Sequence, residues 1–476
     1  MTSTDAPHLD RPHADHPIAL EFPATIAVIG GGPIGLEATL YGRFLGYEVT
    51  LFEQGEVAEN VRQWQHTPMW TPFQLLHSRL GRLAIETQNP AQRFPEPLQE
   101  ISAREWLESY VLPLAGTDLI TKSLRTRHRV LSVGRCHYAK QQVIANETRW
   151  QDGFVVVWQD AEGNEHSDTF DFVIDASGTF HQQQSWGVGG SMALGESRLR
   201  SARVQDPELG AALHVTAPDF AKDPGHWENS GVLVIGDSPA AAQAVTQWLQ
   251  LEGRGSLVWA VPQTLGPDGL YPTMSPDPLP ARAKLFAAAN EAVMKSHRPS
   301  RMDTTSDGKT LVTPARGQVT TLVNTNLTAI HWDSEQKRFR VRLLQWFEVD
   351  WDAAPDDYEE PDDLEINLEF EQVIVAVGHS VEESWSRELI VPRCAQSEAL
   401  LSFVGPLSEF QGDRLDFKFA DPRWMLTPEG RFFVLGAKSF GRLPNYFYRL
   451  GLQQVREAYR WIVGRATLDL EQTLCG

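Results

Sequence analysis

The sequence predicts an α/β protein in which one strand–turn–helix–strand plan is used twice. Three observations predict it. A glycine-punctuated turn joins a short apolar strand to a helix at residues 24–46, and a second such turn stands at 231–253. An acid-led apolar strand then closes each copy in Ala-x-Gly, at 171–178 and at 371–378. First and closing glycines stand at 30 and 178 in one copy and at 236 and 378 in the other, nearly equal separations. Unrelated domains would not share order, spacing and closing motif, so a duplicated plan is the better account.

In the first copy, ATIAVIGGGPIG (24–35) reads as a buried strand entering a turn, LEATLYGRFLG (36–46) as a helix, and YEVTLFE (47–53) as a second strand. This context makes Gly30-x-Gly32-x-x-Gly35 a dinucleotide fingerprint rather than a bare glycine turn. Gly30 permits the tight turn, Gly32 lets the backbone approach a pyrophosphate, and Gly35 lets helix and strand pack closely. Pro33 and Ile34 open the helix, whose free N–H groups and positive dipole end favour phosphate. Glu53 ends the second strand where a ribose 2′-hydroxyl needs an acceptor, with Gln54 beside it. The fold class is therefore α/β with two Rossmann-like dinucleotide-binding domains.

The second copy, GVLVIGDSPAAAQAVTQWLQLEG (231–253) followed by SLVWAV (256–261), keeps Gly236 but carries Ser238 and Ala241 where glycines allow the closest approach. Asp237 adds a negative charge beside the phosphates. The next strand ends WAVPQ, with neither an acid for a ribose hydroxyl nor an arginine for a 2′-phosphate; Arg254, Arg282 and Arg301 are candidates from elsewhere.

The expected organisation is a disordered leader (1–22), the first part of an inserted-into domain (23–200), an inserted nucleotide domain (201–365) with an acidic insertion at 349–365, and the second part of the first domain (366–476). Three leader histidines, His8, His13 and His16, read as solvated; no metal site is expected. Ser102 and Glu105 form a capping box opening a helix, and 280–295 is a further helix. The 476 residues contain 42 Lys+Arg against 62 Asp+Glu, a net charge of −20 that disfavours nucleic acid and anionic membranes. No apolar run approaches the roughly 18–20 residues that span a bilayer. Cys136, Cys394 and Cys475 are far apart with no Cys-x-x-Cys pair, which fits a reducing cytoplasm and disfavours a dithiol relay.

The fingerprint, the degenerate second copy and the two Ala-x-Gly strands resemble the two-dinucleotide-binding-domain flavoproteins over residues 24–465. Among these the chain is most similar to class B flavin monooxygenases of the N-hydroxylating branch. Their Asp-x-x-x-Leu-Ala-Thr-Gly-Tyr/His strand is matched in outline by Glu371 through His379, and Asp171 through Phe180 gives a second partial match. The chain departs from related families in lacking Phe-x-Gly-x-x-x-His and Trp-x-Trp-x-Ile-Pro, and in having Gly436-Ala437-Lys438 where many reductases carry Gly-Asp.

The resemblance implies FAD in the first domain and NADPH or NADH in the second. A small-molecule substrate and molecular oxygen would be the reaction partners, with hydroxylation at an amine nitrogen and a homo-oligomer both open. It places Arg62, Gln63, Trp64 and His66 around the flavin, with Gly178, Gly378 and Gly436 at backbone approaches. Lys438, Ser439 and Arg442 fall in the turn facing the isoalloxazine, and Asn445, Tyr446, Tyr448 and Arg449 open the last helix. Lys438 and Arg442 are then candidate cations for reduced flavin or an anionic substrate, and His379 a candidate proton shuttle. Two other readings stay open: an FAD oxidase or dehydrogenase independent of nicotinamide, and a flavin-binding sensor docking through the acidic insertion.

Overall fold

The computed structural model describes residues 18–20, 23–251, 255–295, 301–304, 310–313, 316–347, 363–444 and 446–475, with 301–304, 310–313 and 475 as backbone alone. The leader up to Pro17 and nearly all of the acidic insertion lie outside these residues, as do Arg254 and Asn445. The chain forms two compact units, Met1–Gln182 with His379–Gly476, and Gln183–Gly378.

In the first unit five parallel strands lie side by side in the order Phe432–Val434, Phe172–Asp175, Thr25–Ile29, Glu48–Phe52 and Leu124–Arg125. Ile26, Ala27, Val28, Val173 and Ile174 are fully buried, the uninterrupted apolar run of strands covered on both faces. The helix Pro33–Phe44 starts on Pro33, whose missing N–H is no loss in a first turn. Every residue from Ile34 to Gly42 in it is buried. The long helix Tyr448–Val463 packs against it; Tyr459 donates its hydroxyl to Ala38 O at 2.7 Å, passing where a side chain at Gly42 would stand. A three-stranded antiparallel sheet, Arg129–Arg135, Phe154–Gln159 and Glu165–Phe170, completes the strands of this unit.

In the second unit the parallel strands run Val319–Leu322, Ser256–Ala260, Gly231–Ile235, Gln372–Val375 and Leu213–His214. A mixed sheet is built from Arg301–Thr304, Thr310–Thr313, Leu364–Phe370, Arg338–Gln345 and Thr325–Asp333. The helices Pro239–Trp248 and Pro280–Met294 pack on each other.

The units change over at 182/183 and 378/379, whereas the sequence suggested 200/201 and 365/366. Hydrogen bonding explains both displacements. Gln372–Val375 pairs with Gly231–Ile235 and so stays with the second unit. Leu194 exchanges backbone bonds with Thr328 and Ile330, and Trp186 and Leu199 enter the core formed with Leu233 and Val373.

The duplication holds at the level of register. Ile29 pairs with Phe52 and Asp175; Ile235 pairs with Ala260 and Val375. Gly30 then donates to Phe52 O at 2.8 Å, and Gly236 to Ala260 O at 3.0 Å, with φ of 106° and 107°. Glu53 and Val261 therefore occupy equivalent positions.

Two buried polar groups hold the first unit together, and neither stood out in the sequence. Glu429 is fully buried and accepts from Arg135 Nε at 2.8 Å, Arg149 Nε at 2.9 Å and Ile390 N at 2.6 Å. Glu37, on the buried face of Pro33–Phe44, accepts from Tyr448 Oη at 2.7 Å and from the Tyr110 hydroxyl. Burial raises the Glu37 pKa above the ordinary carboxylate value, and its tyrosine partners only partly offset that shift.

Removing Glu429 leaves two buried guanidinium groups unpaired, so Glu429→Ala should lower the unfolding free energy by about 3–5 kcal/mol in urea titrations. For Glu37 the native pKa lies above the unfolded one. The native state therefore binds the extra proton, and the penalty of a buried carboxylate appears as pH rises through the native value. Glu37→Gln should abolish that fall in stability with rising pH in melting curves taken from pH 5 to 8; an unchanged pH slope would show that Glu37 does not titrate there.

Candidate functional site

The glycines of the first turn differ in what a side chain would meet. A Cβ on Gly30 would lie 2.6 Å from Ala176 O, and one on Gly35 would lie 1.8 Å from Gly30 O. A Cβ on Gly32 would meet nothing within 4 Å. Two of these glycines are thus demanded by packing, while Gly32 faces open space at the helix start. The N–H groups of Gly32, Ile34 and Gly35 find no partner among the described residues. They converge at the positive end of a twelve-residue helix with no side-chain cap, a ready anion cradle.

Glu53 lies beside this cradle, almost buried. Its Oε2 accepts from Gly31 N at 2.7 Å and its Oε1 from Gly55 N at 2.7 Å. Burial raises its pKa, and the two amides pull the other way. Each carboxylate oxygen still has a second lone-pair direction for a hydroxyl donor. Gln54 is turned to His181, Nε2 to Nε2 at 2.7 Å, and burial lowers the His181 pKa. Arg62 is exposed and caps Val57 O at 3.0 Å; Trp64 is half-buried with no ring partner among the described residues.

Gly178 and Gly436 both take φ of 73°, a conformation that other residues rarely adopt. Gly178 has open space on its Cβ side; Gly436 donates to Gln454 Oε1 at 2.8 Å and lies against Ile34 of the fingerprint helix. Gly378 has φ of 88° and faces the Gln184 amide.

Each of the three candidate catalytic residues is engaged by neighbouring side chains. Lys438 is fully buried, with Nζ 2.7 Å from Asp175 Oδ2, 3.1 Å from Ser177 Oγ and 4.5 Å over the Trp385 ring. It offers no free cation to a flavin or an anionic substrate. Arg442 is paired with Glu398 at 2.6 Å, so its charge too is compensated. His379 stacks on Phe180 at 4.8 Å, and burial, with His181 nearby, lowers its pKa to about 4. It stays neutral near pH 7 and is poorly matched to shuttling protons there.

Of the last-helix set, Tyr448 belongs to the Glu37 network and the Tyr446 hydroxyl is buried with no hydrogen-bond partner among the described residues. Ser439 donates to Gly436 O at 2.7 Å and so shapes its own turn. Asp175 was missed by sequence reasoning, although an acid ending a buried apolar strand was a usable signal.

In the second turn Gly236 is again required, since a Cβ would lie 2.4 Å from Ala376 O. Its carbonyl accepts from Trp259 Nε1 at 2.8 Å. Ser238 stands at the Gly32 position and Val261, fully buried, at that of Glu53. Arg282, a candidate 2′-phosphate ligand by sequence, is buried against Asp277 at 2.7 Å.

No protein-family model and no curated protein sequence matches this chain. Solved structures do. Bacillithiol disulfide reductase Bdr from Bacillus cereus aligns with TM-score 0.58 at 13% identity, over 93% of this chain and 99% of its own. DfoA from Erwinia amylovora, the cadaverine monooxygenase of desferrioxamine biosynthesis, was solved with FAD bound. It aligns with TM-score 0.51 at 14% identity, over 94% and 96%. Lactococcus lactis thioredoxin reductase gives 0.50 at 13% identity, over 92% and 99%. The chain therefore has the α/β fold of the two-dinucleotide-binding-domain flavoproteins, with two Rossmann-like domains, as its sequence led us to expect.

Proposed function

We propose that the first unit binds FAD and that the protein is an FAD-dependent oxidoreductase acting on a small molecule. The observation that carries this reading is the set of three unpaired amides around an open Gly32, with a buried acid ending the next strand. Gly32, Ile34 and Gly35 would hold the pyrophosphate and Glu53 the ribose hydroxyls of the adenosine. Gly178 and Gly436 would let backbone come close to the cofactor, and Trp64 would lie along it. FAD would supply the two-electron redox chemistry, and the chain would supply binding, orientation and exclusion of water.

The finer reading is hydroxylation of a small molecule at an amine nitrogen, with oxygen as oxidant and NAD(P)H as reductant. It draws on the likeness to the cadaverine monooxygenase. A disulfide reductase is disfavoured by the cysteines: Cys136 and Cys394 are free thiols, and the sequence has no vicinal pair. The reading as an oxidase or dehydrogenase is favoured by one observation, the poor phosphate cradle of the second unit. The finer reading requires substrate-dependent oxygen uptake when amines are screened against the purified protein, and none with any amine would remove it.

Because a Cβ at Gly32 touches no protein atom, Gly32→Ala separates binding from folding. Its apo-protein melting temperature should match that of the parent, while FAD affinity in equilibrium dialysis falls by about tenfold or more. Glu53→Gln should cost about 1.5–3 kcal/mol of the same affinity, the worth of a charged hydrogen bond. Unaltered FAD binding in both variants, or a purified protein that takes up no flavin, would overturn the assignment.

A further inference from the structure

We infer that the second unit keeps the dinucleotide-binding plan but has lost its grip on pyridine nucleotide, so that NAD(P)H is not held at the Gly236 turn. The inference goes beyond the flavin reading, stands on the second unit alone, and sets NAD(P)H aside as reductant in the finer reading, favouring the oxidase or dehydrogenase alternative.

Equivalent positions in the two turns can be compared atom by atom, because the flanking strands share one register. In the first turn three amides, those of Gly32, Ile34 and Gly35, are unpaired. In the second, Ser238 N–H donates to Ala376 O at 3.3 Å and Ala241 N–H to Ser238 O at 2.8 Å. Pro239 has no N–H, which leaves Ala240 as the one unpaired amide among those corresponding positions. A pyrophosphate that loses most of its backbone donors loses the main attraction of a helix N-terminus.

The side chains compound the loss. Asp237 stands where the first turn has Gly31, and burial already raises its pKa. A pyrophosphate beside it would add like charge to a desolvated carboxylate. Val261 stands where Glu53 accepts hydrogen bonds, so no acid meets a ribose. Arg282 is neutralised by Asp277.

The turn is also braced from within. Tyr271 donates its hydroxyl to Ser238 O at 3.0 Å and stacks on Phe286 at 4.7 Å. Asn290 fixes the Tyr271 segment with all its amide groups: Oδ1 accepts from Leu270 N and Tyr271 N, and Nδ2 donates to Asp268 O and Tyr271 O. With Trp259 on Gly236 O, the protein's own groups have taken over positions that backbone alone forms in the first turn.

The test uses the full-length protein with its flavin content measured first. NADPH and NADH are titrated calorimetrically, and each is mixed anaerobically with the protein at up to millimolar concentration. The expected result is no saturable binding, and flavin absorbance that persists with either nucleotide but is bleached by dithionite. Binding in the micromolar range, or flavin reduction that saturates with nucleotide, would overturn the inference. Asp237→Gly combined with Val261→Glu rebuilds the Gly31–Glu53 pair and should tighten NADH binding by at least about tenfold. A double variant with parental melting temperature and no such gain would overturn the attribution to these two positions. A protein without FAD would defeat the flavin reading alone, because calorimetry still reports on the second unit.

Discussion

Gly35 has no side chain, and the space where one would begin is held by the carbonyl of Gly30. That backbone-to-backbone contact sets how closely the helix Pro33–Phe44 lies against the strand Thr25–Ile29. Close packing brings the first helical turn to the carboxyl edge of the sheet, where its amides have no carbonyl to meet. It also brings Ile34 against Gly436 and Glu37 against Tyr448, so the last helix is seated by the same contact. Anion cradle, Gly436 turn and C-terminal helix thus depend on one missing methyl group.

In the second copy that constraint is relaxed. Ala241 is accommodated at the Gly35 position, and the Gly236 carbonyl is capped by an indole instead of being closely approached by the helix backbone. Register, turn conformation and the Ala-x-Gly closure all survive, because strand pairing and the positive φ of Gly236 suffice for them. The number of amides left unpaired is the feature that changes. Fold and free amides are therefore separable here: the second copy keeps its sheet with the first glycine alone, whereas the unpaired amides of the first copy accompany its second and third glycines.

This separation explains what was legible in the sequence. Strands rich in Val, Ile and Leu between glycine turns specify the parallel sheets, and each glycine of the first turn has a geometric role set by its spacing. The capping box at Ser102 and Glu105 was legible for the same reason, since it is local; the hydroxyl and carboxylate each meet the other's backbone N–H. Lys438, Arg442 and His379 were not legible, because charge and titration depend on partners far away in the chain. Asp175 ends one strand and Lys438 follows another, in the short helix Ala437–Phe440, and only the pairing of Phe432–Val434 with Phe172–Asp175 makes them neighbours. The unit limits follow the same rule, since Gln372–Val375 belongs to whichever sheet it pairs with, and sequence order is silent on that.

The Lys438–Asp175 pair also bears on chemistry. Taking two opposite charges out of water gains little net stability over apolar packing, but breaking such a pair is costly. Its effect here is to tie the turn after Gly436 to the turn before Gly178, with Ser177 bonded to both partners. These are the two turns whose glycines both take φ of 73°. Lys438, which reads as a candidate cation in the sequence, acts as a strut between these two turns. The same fold serves disulfide reductases and a cadaverine monooxygenase, and a shape-defining role for these residues is compatible with either chemistry. The sequence carries no Cys-x-x-Cys pair of the kind a dithiol relay uses.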